Sequence, residues 1–224
     1  MTLTIEKPAR MRAVNARLVP AKSSLALAIF DTAGAAVLLV LALPVLLAAL
    51  LAVKLSSRGP AIYLQTRLGH RGRVFTVFKI RTMIVDAEGL TGPRWSLPGD
   101  PRITRLGAVL RALHIDELPQ LWNVLRGEMS LVGPRPERPE IAAELRLRIR
   151  GYDRRLAVKP GLTGFAQIHL PPDETVGSVR CKLKYDLHGI RSRGLAFHAV
   201  VVGCTVLKVL GLKRLYAQKW TSRH

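Results

Sequence analysis

Aromatic residues are scarce. Phe, Trp and Tyr make up 5% of the 224 residues, too few to favour the stacking platforms that bind single-stranded nucleic acid. Cysteine is nearly missing. Cys181 and Cys204 stand far apart and in no paired motif, which excludes a disulfide framework and a cysteine-built zinc or iron–sulfur site and fits a reducing compartment. The six histidines (His70, His114, His169, His188, His198 and His224) never fall at metal-ligand spacing, so a histidine-based metal site is not expected either. Acids are outnumbered, 15 Asp and Glu against 35 Lys and Arg, for a formal net charge of +20. No internal repeat or low-complexity tract is present.

Apolar residues are abundant, at 49%. Strong positive charge together with that much apolar surface is not the signature of a soluble nucleic-acid binder. It points to a membrane face, where anionic lipid attracts each juxtamembrane Lys or Arg by roughly 1 kcal/mol. A phosphate-bearing substrate would draw on the same field. The length allows one domain with a core, plus appendages.

Residues 1–24 carry Lys7, Arg10, Arg12, Arg17 and Lys22 against the single acid Glu6 and lack apolar periodicity, as a basic arm on a membrane surface would. Residues 25–53 are apolar apart from Asp31, Thr32 and small residues, longer than the roughly 20 residues that cross a bilayer. Basic residues flank both ends, with Arg17 and Lys22 before and Lys54, Arg58, Arg67, Arg71 and Arg73 after. The positive-inside rule therefore wants both ends on one side. Pro44 removes a backbone hydrogen bond inside the run and can break it into two limbs. A re-entrant helix is expected, with a proline-kinked spanning helix as the alternative. A cleaved signal peptide does not fit a run this long with no small-residue cleavage site after it. Asp31 is expected at the interface or as a cap rather than at bilayer depth.

Short strands are expected over residues 61–64 and 74–80, joined by a turn with Gly69 and Gly72. Lys79 and Arg81 alternate along one side of the second strand, either as a solvated basic face or as phosphate ligands. Residues 86–100 read as a loop able to fold over a substrate. An amphipathic helix opens at Asp100, with Ile103, Leu106, Leu110 and Leu113 as its apolar stripe. It delivers the chain to Asp116-Glu117, two adjacent acids where a second helix should begin. Asp116 suits the N-cap, Pro119 the first turn and Gly127 the end of that helix. The pair is either a cap, worth about 0.3 to 1 kcal/mol against the helix dipole, or a chemical tool. Residues 129–132 form a short apolar run fit for a buried strand, followed by Gly133-Pro134-Arg135-Pro136. Its prolines hold Arg135 rigidly, as a surface arginine in a turn or as a fork for phosphate or carboxylate. Beyond it come a charged helix over residues 139–150, a turn and short strand over residues 159–168, a helical pattern over residues 180–187 carrying Asp186, and an apolar helix over residues 195–210 that lies on the membrane or on the domain.

Taken in order, these segments resemble the bacterial sugar transferases that act on a polyprenyl-phosphate carrier, the monotopic phosphoglycosyl transferases. The resemblance runs from about Phe30 to Leu187. Its carriers are Gln65-Thr66-Arg67, Phe78-Lys79-Ile80-Arg81-Thr82-Met83, Asp100-Pro101-Arg102-Ile103-Thr104-Arg105, Asp116-Glu117-Leu118-Pro119-Gln120, the Gly133-Pro134-Arg135-Pro136 run, Lys159-Pro160-Gly161-Leu162-Thr163-Gly164 and Tyr185-Asp186-Leu187. It implies a helix-rich α+β fold with short strands and an N-terminal re-entrant helix-break-helix hairpin. The implied layout is a basic arm (1–24), a membrane-inserted segment (25–53), a cytoplasmic catalytic domain (54–190) and an amphipathic helix with a tail (191–224). It implies transfer of a sugar-1-phosphate from a UDP-sugar to undecaprenyl phosphate with release of UMP, the first membrane step of exopolysaccharide, capsule or other surface-glycan synthesis. The implied place is the cytoplasmic face of the bacterial inner membrane. The expected partners are the UDP-sugar, undecaprenyl phosphate and membrane lipids, with no nucleic acid and with homo-oligomer formation left open. Asp116 would be the nucleophile and a Mg²⁺ ligand, and Glu117 would tune the metal site or act on a proton. Lys79, Arg81, Arg111, Arg135 and Asp186 would bind substrate.

Overall fold

Leucine, alanine and valine dominate the first described segment, and they form a single α-helix, α1 (Leu25–Ser56), of 32 residues. At 1.5 Å per residue it is about 48 Å long. The computed structural model describes residues 24–89, 92, 95–96 and 99–212. Apart from Ser24, the expected basic arm lies outside these residues, as does the end of the C-terminal tail. Pro44 lies inside α1, so the expected division into two helices is not seen; the chain stays helical across the proline.

The helix buries one narrow stripe, Leu27, Asp31, Ala35, Leu46, Ala49 and Val53, at the three- and four-residue steps of a single helical face. Its other faces leave Val37, Val40, Leu41, Leu47 and Leu51 exposed. The stripe packs on the globular part near both ends. Ala35 joins the core cluster of Val77, Leu121, Val124, Leu131 and Val132, while Leu46, Ala49 and Val53 pack with Ile80 and Leu110. Gly34 sits where a Cβ would stand 2.7 Å from Leu131 Cδ1, so the missing side chain permits this approach. Asp31 is not a cap, since the residue before α1 is Ser24. It is buried, and its carboxylate accepts from Ser130 Oγ at 2.6 Å and from the Leu131 N–H at 3.0 Å, which satisfies a charge that would be costly to bury alone.

After α1, the strands β1 (Ile62–Leu68) and β2 (Val74–Ile80) form an antiparallel hairpin in the register Ile62 with Ile80 and Leu68 with Val74. The first strand is longer than expected. The next helix, α2 (Arg105–Ala112), begins after Thr104, whose side chain accepts from Gly107 N. It does not open at Asp100, because that carboxylate is taken by Arg102 at 2.6 Å. A 3₁₀ turn (Ile115–Glu117) leads to α3 (Gln120–Leu125) and then to β3 (Ser130–Val132). Helix α4 (Pro139–Arg148) follows, then a 3₁₀ turn (Tyr152–Ala157). Strand β4 (Gly161–Thr163) pairs in parallel with β3. Residues expected to continue as a strand turn into a short helix, α5 (Phe165–His169), because Thr163 completes the pairing. Helices α6 (Val176–Arg191), with a Thr175/Ser178 capping box, and α7 (Leu195–Val209) close the described chain. Val201 of α7 enters the same core cluster as Leu131, so the C-terminal helix is part of the domain's packing.

Asn123 ties α3 to the hairpin. Fully buried, it donates to Thr76 O at 2.7 Å and Glu128 Oε2 at 2.8 Å and accepts from Phe78 N at 3.2 Å. The β3–β4 crossing is equally tight, since a Cβ on Gly161 would overlap the Gly133 nitrogen. Gly161→Ala is therefore expected to destabilise the fold by about 3 kcal/mol, the upper end for overpacking, since backbone rather than a side chain must move. Gly203→Ala on α7, where nothing lies within 4 Å of the added carbon, should be neutral or stabilise by up to about 1 kcal/mol. Unfolding of the detergent-solubilised variants compares the two.

Candidate active site

The left-handed conformation of His114 (φ 56°, ψ 18°) turns the chain at the end of α2 and starts the 3₁₀ turn that contains Asp116 and Glu117. Asp116 is therefore inside a turn and not an N-cap. No side-chain capping bond is made there, and the residue preceding α3 is Pro119. The two acids face different environments.

Glu117 is clamped. Arg135 donates through Nη2 to Oε1 and through Nη1 to Oε2, the latter at 3.3 Å, the bidentate geometry that a planar guanidinium offers a carboxylate. Lys79 Nζ stands 3.6 Å from Oε1. Burial alone would raise the Glu117 pKa, but Arg135 and then Lys79 outweigh it and hold the carboxyl below the usual carboxylate range. Burial brings Lys79 down to about 8, against the pull of Glu117, and the Glu117 charge raises Arg135.

Asp116 is bare. It is 7% exposed, and among the described residues its carboxylate takes neither a hydrogen bond nor an ion pair. Its pKa is raised, first by burial and then by the neighbouring Glu117, with Lys79, Arg111 and Arg135 pulling the other way. Adjacent carboxyls pushed in opposite directions by their surroundings are a recognised arrangement for dividing chemical roles.

Of the other residues singled out in the sequence, Arg111 stands on α2, half-buried, with Nε donating to Thr82 Oγ1 at 2.8 Å. It is close enough for Asp116 to oppose the lowering of its pKa by burial. Arg81 is placed elsewhere. β2 ends at Ile80, and the Arg81 guanidinium donates to Ser57 O at 3.0 Å, Ser57 Oγ at 2.8 Å and Arg58 O at 2.9 Å, fastening the segment that leaves α1. Asp186 lies on α6, away from the acid pair in its contacts. Its Oδ2 is 2.9 Å from Arg155 Nη2, and burial raises its pKa against Arg155. The structure thus brings Lys79, Arg111, Asp116, Glu117 and Arg135 into one electrostatic neighbourhood, while Arg81 and Asp186 make their contacts elsewhere.

Sequence reasoning missed Thr82, which orients Arg111, and Arg155. Thr82 sits in the Lys79–Met83 motif and could have been found there. Arg155 is one of several arginines in a basic stretch and gave no signal. Among the described residues, no three His, Cys, Asp or Glu side chains converge as a metal cage. A Mg²⁺ ion is commonly held by one or two carboxylates together with substrate phosphates and water. The uncommitted Asp116 carboxylate fits that donor set, whereas Glu117 is already engaged.

The sequence model of a family described as bacterial sugar transferase matches residues 22–212. The chain is 48% identical over 143 residues to an undecaprenyl-phosphate glucose phosphotransferase of Komagataeibacter xylinus, covering 62% of this chain and 27% of that one. It is 42% identical over 190 residues to a UDP-glucose:undecaprenyl-phosphate glucose-1-phosphate transferase of Caulobacter vibrioides, covering 84% and 71%. A UDP-N-acetylgalactosamine-undecaprenyl-phosphate N-acetylgalactosaminephosphotransferase of Aeromonas hydrophila is 37% identical over 180 residues, covering 80% and 42%. The chain thus spans less than half the length of two of these relatives.

The split between the acids has a measurable sign. Glu117→Gln removes an anion that raises Asp116, so the Asp116 titration midpoint, followed by ¹³C-carboxyl chemical shift, should fall. Lys79→Met removes a cation that lowers it, and the midpoint should rise. Equal midpoints in the two variants would contradict this electrostatic picture.

Proposed function

The chain belongs to the bacterial sugar transferase family, and from that premise we propose that it transfers a sugar-1-phosphate from a UDP-sugar to undecaprenyl phosphate, releasing UMP. The observation that carries this reading is the bare, buried carboxylate of Asp116 beside a neighbour held ionised by Arg135 and Lys79.

The Asp116 carboxylate attacks the sugar-side phosphorus of the donor. A new carboxyl–phosphorus bond forms while the bond to the bridging oxygen breaks, and that oxygen leaves with UMP. The phosphate oxygen of the lipid acceptor then attacks the same phosphorus and frees the carboxylate. Splitting one displacement into two is the usual gain of an aspartyl nucleophile. Burial removes water from Asp116 and strengthens its interactions with nearby charges. Lys79, Arg111 and Arg135 supply positive charge toward the donor's phosphates, the main contribution a protein makes to phosphoryl transfer. Glu117, held by Arg135 and Lys79, fixes those two cations rather than moving a proton. Mg²⁺, held by Asp116 and donor phosphates, would neutralise further diphosphate charge.

The acceptor's long chain requires a membrane seat. The apolar outer faces of α1 and of α7, where Leu195, Val200, Val206 and Val209 are exposed, supply one. Both ends of α1 pack on the same globular part through Asp31 and Val53. This favours a helix that enters and leaves by one membrane face, with the site at the cytoplasmic surface of the inner membrane. The relatives' named reactions support glucose and N-acetylgalactosamine as the sugars to test, in the first membrane step of a surface glycan.

Incubation with UDP-glucose or UDP-N-acetylgalactosamine, Mg²⁺ and no lipid should release UMP in an amount equal to the enzyme. A sugar-phosphate adduct on Asp116 should be recoverable by mass spectrometry. Asp116→Asn should abolish both and leave membrane association intact; UMP release only when lipid is present would favour direct transfer. Cysteines placed at residue 15 and in the globular domain should both react from the cytoplasmic side. Reaction of the first from the opposite side alone would exclude the one-face arrangement.

A further inference from the structure

Arg135 is carried by residues 134–137, a strap gripped through its carbonyls. Two of these four residues are prolines and have no N–H to donate, so the backbone is held chiefly through oxygen. All four oxygens are engaged. Pro134 O accepts from Gly161 N at 2.9 Å and Glu137 O from Leu68 N at 2.9 Å. Between them, Arg135 O accepts from Arg155 Nη2 at 3.0 Å and Pro136 O from Arg67 Nη1 at 3.1 Å.

Neither gripping arginine is free to swing. Arg155 is pinned by Asp186 Oδ2 at 2.9 Å and Tyr152 Oη at 2.9 Å. Arg67 is pinned by Gln65 Oε1 at 3.0 Å and Glu137 Oε1 at 3.2 Å. Their side chains are 10% and 16% exposed, whereas the Arg135 side chain is 44% exposed. The Arg135 side chain is tied at its tip to Glu117 and is otherwise open to solvent, so the backbone that carries it sets where that tip can reach. A buried guanidinium is expensive unless paired, and here two such groups are spent on consecutive carbonyls of one strap.

We infer that Arg155, held by Asp186, and Arg67 are positioning residues that lock the Arg135 backbone, so that its guanidinium meets Glu117 beside the nucleophile. Their hydrogen bonds go to the strap and its supports, not to the acid pair. The inference rests on the proposed transferase reading of that site.

The test uses the full chain in nanodiscs and reads single-turnover UMP release from UDP-glucose and from UDP-N-acetylgalactosamine. Arg155→Met should slow release roughly ten- to a hundredfold, the scale set by displacement of a positioned group by about 1 Å. Asp186→Asn keeps the side-chain shape and should slow release by a smaller factor, which guards against a variant that fails to fold. In an Arg135→Ala background, Arg155→Met should change the rate by less than about twofold, since coupled residues are not additive. Equal slowing in both backgrounds would overturn the inference and leave Arg155 a purely structural part. A donor-free arm separates the two levels. In ¹⁵N-arginine spectra without nucleotide, the split guanidinium signals of Arg135 should collapse in Arg155→Met. Collapse without wild-type UMP release would uphold the grip and overturn the transferase reading. Wild-type release without that collapse would overturn the grip alone.

Discussion

Glu117 can remain ionised beside a second carboxyl only because Arg135 and Lys79 close on it, and the rest of the site depends on that closure. Two anions side by side in a shielded turn would raise each other's pKa until one took a proton. The cations resolve the conflict unequally: one acid is fixed as an anion, and the other is left bare with a raised pKa. The acid pair is thus a single electrostatic unit in which the neighbour's charge and its partners set the character of Asp116.

Each partner comes from a different part of the fold. Lys79 comes from the end of the β-hairpin, and Arg135 from the strap that follows β3. Arg111 comes from α2, with Thr82 beside it. Asn123 ties α3 to the hairpin through Thr76 and Phe78, and the parallel β3–β4 pair sets where the strap begins. A perturbation at the glycine crossing of Gly133 and Gly161 would therefore reach the acid pair through the strap without touching it.

Much of this could be read from the sequence, for local reasons. The Gly-Pro-Arg-Pro run announces a rigid arginine because proline constrains its neighbours whatever surrounds them. Of the apolar stripe expected on α2, Leu106 and Leu110 pack inward while Leu113 is exposed; α1 is apolar on every face, so its buried stripe is not legible from periodicity. Two residues show where local rules stop. Asp116 looked like an N-cap, but residues from Ile115 onward already take helical turns and His114 makes the bend. Arg81, read beside Lys79 by strand alternation, follows the last residue of β2, and its guanidinium donates to Ser57 and Arg58, partners that alternation alone does not reveal. The roles of Asp31 and Arg155 were out of reach. Each depends on a partner far along the chain, and Arg155 sits among Arg148, Arg150 and Arg154, a run that reads as a solvated face.

The carboxylate of Asp31 finds its partners 99 and 100 residues later, at Ser130 and Leu131. The apolar helix is thus not a generic tether joined to an independent enzyme. Replacing it with another hydrophobic segment of equal length would leave a buried hydroxyl and a backbone N–H of β3 without their acceptor, in the strand that leads into the Arg135 strap. Helix and site are one mechanical unit: the exposed faces of α1 make no demand on the domain, whereas its inward stripe is matched to the surface it lies against.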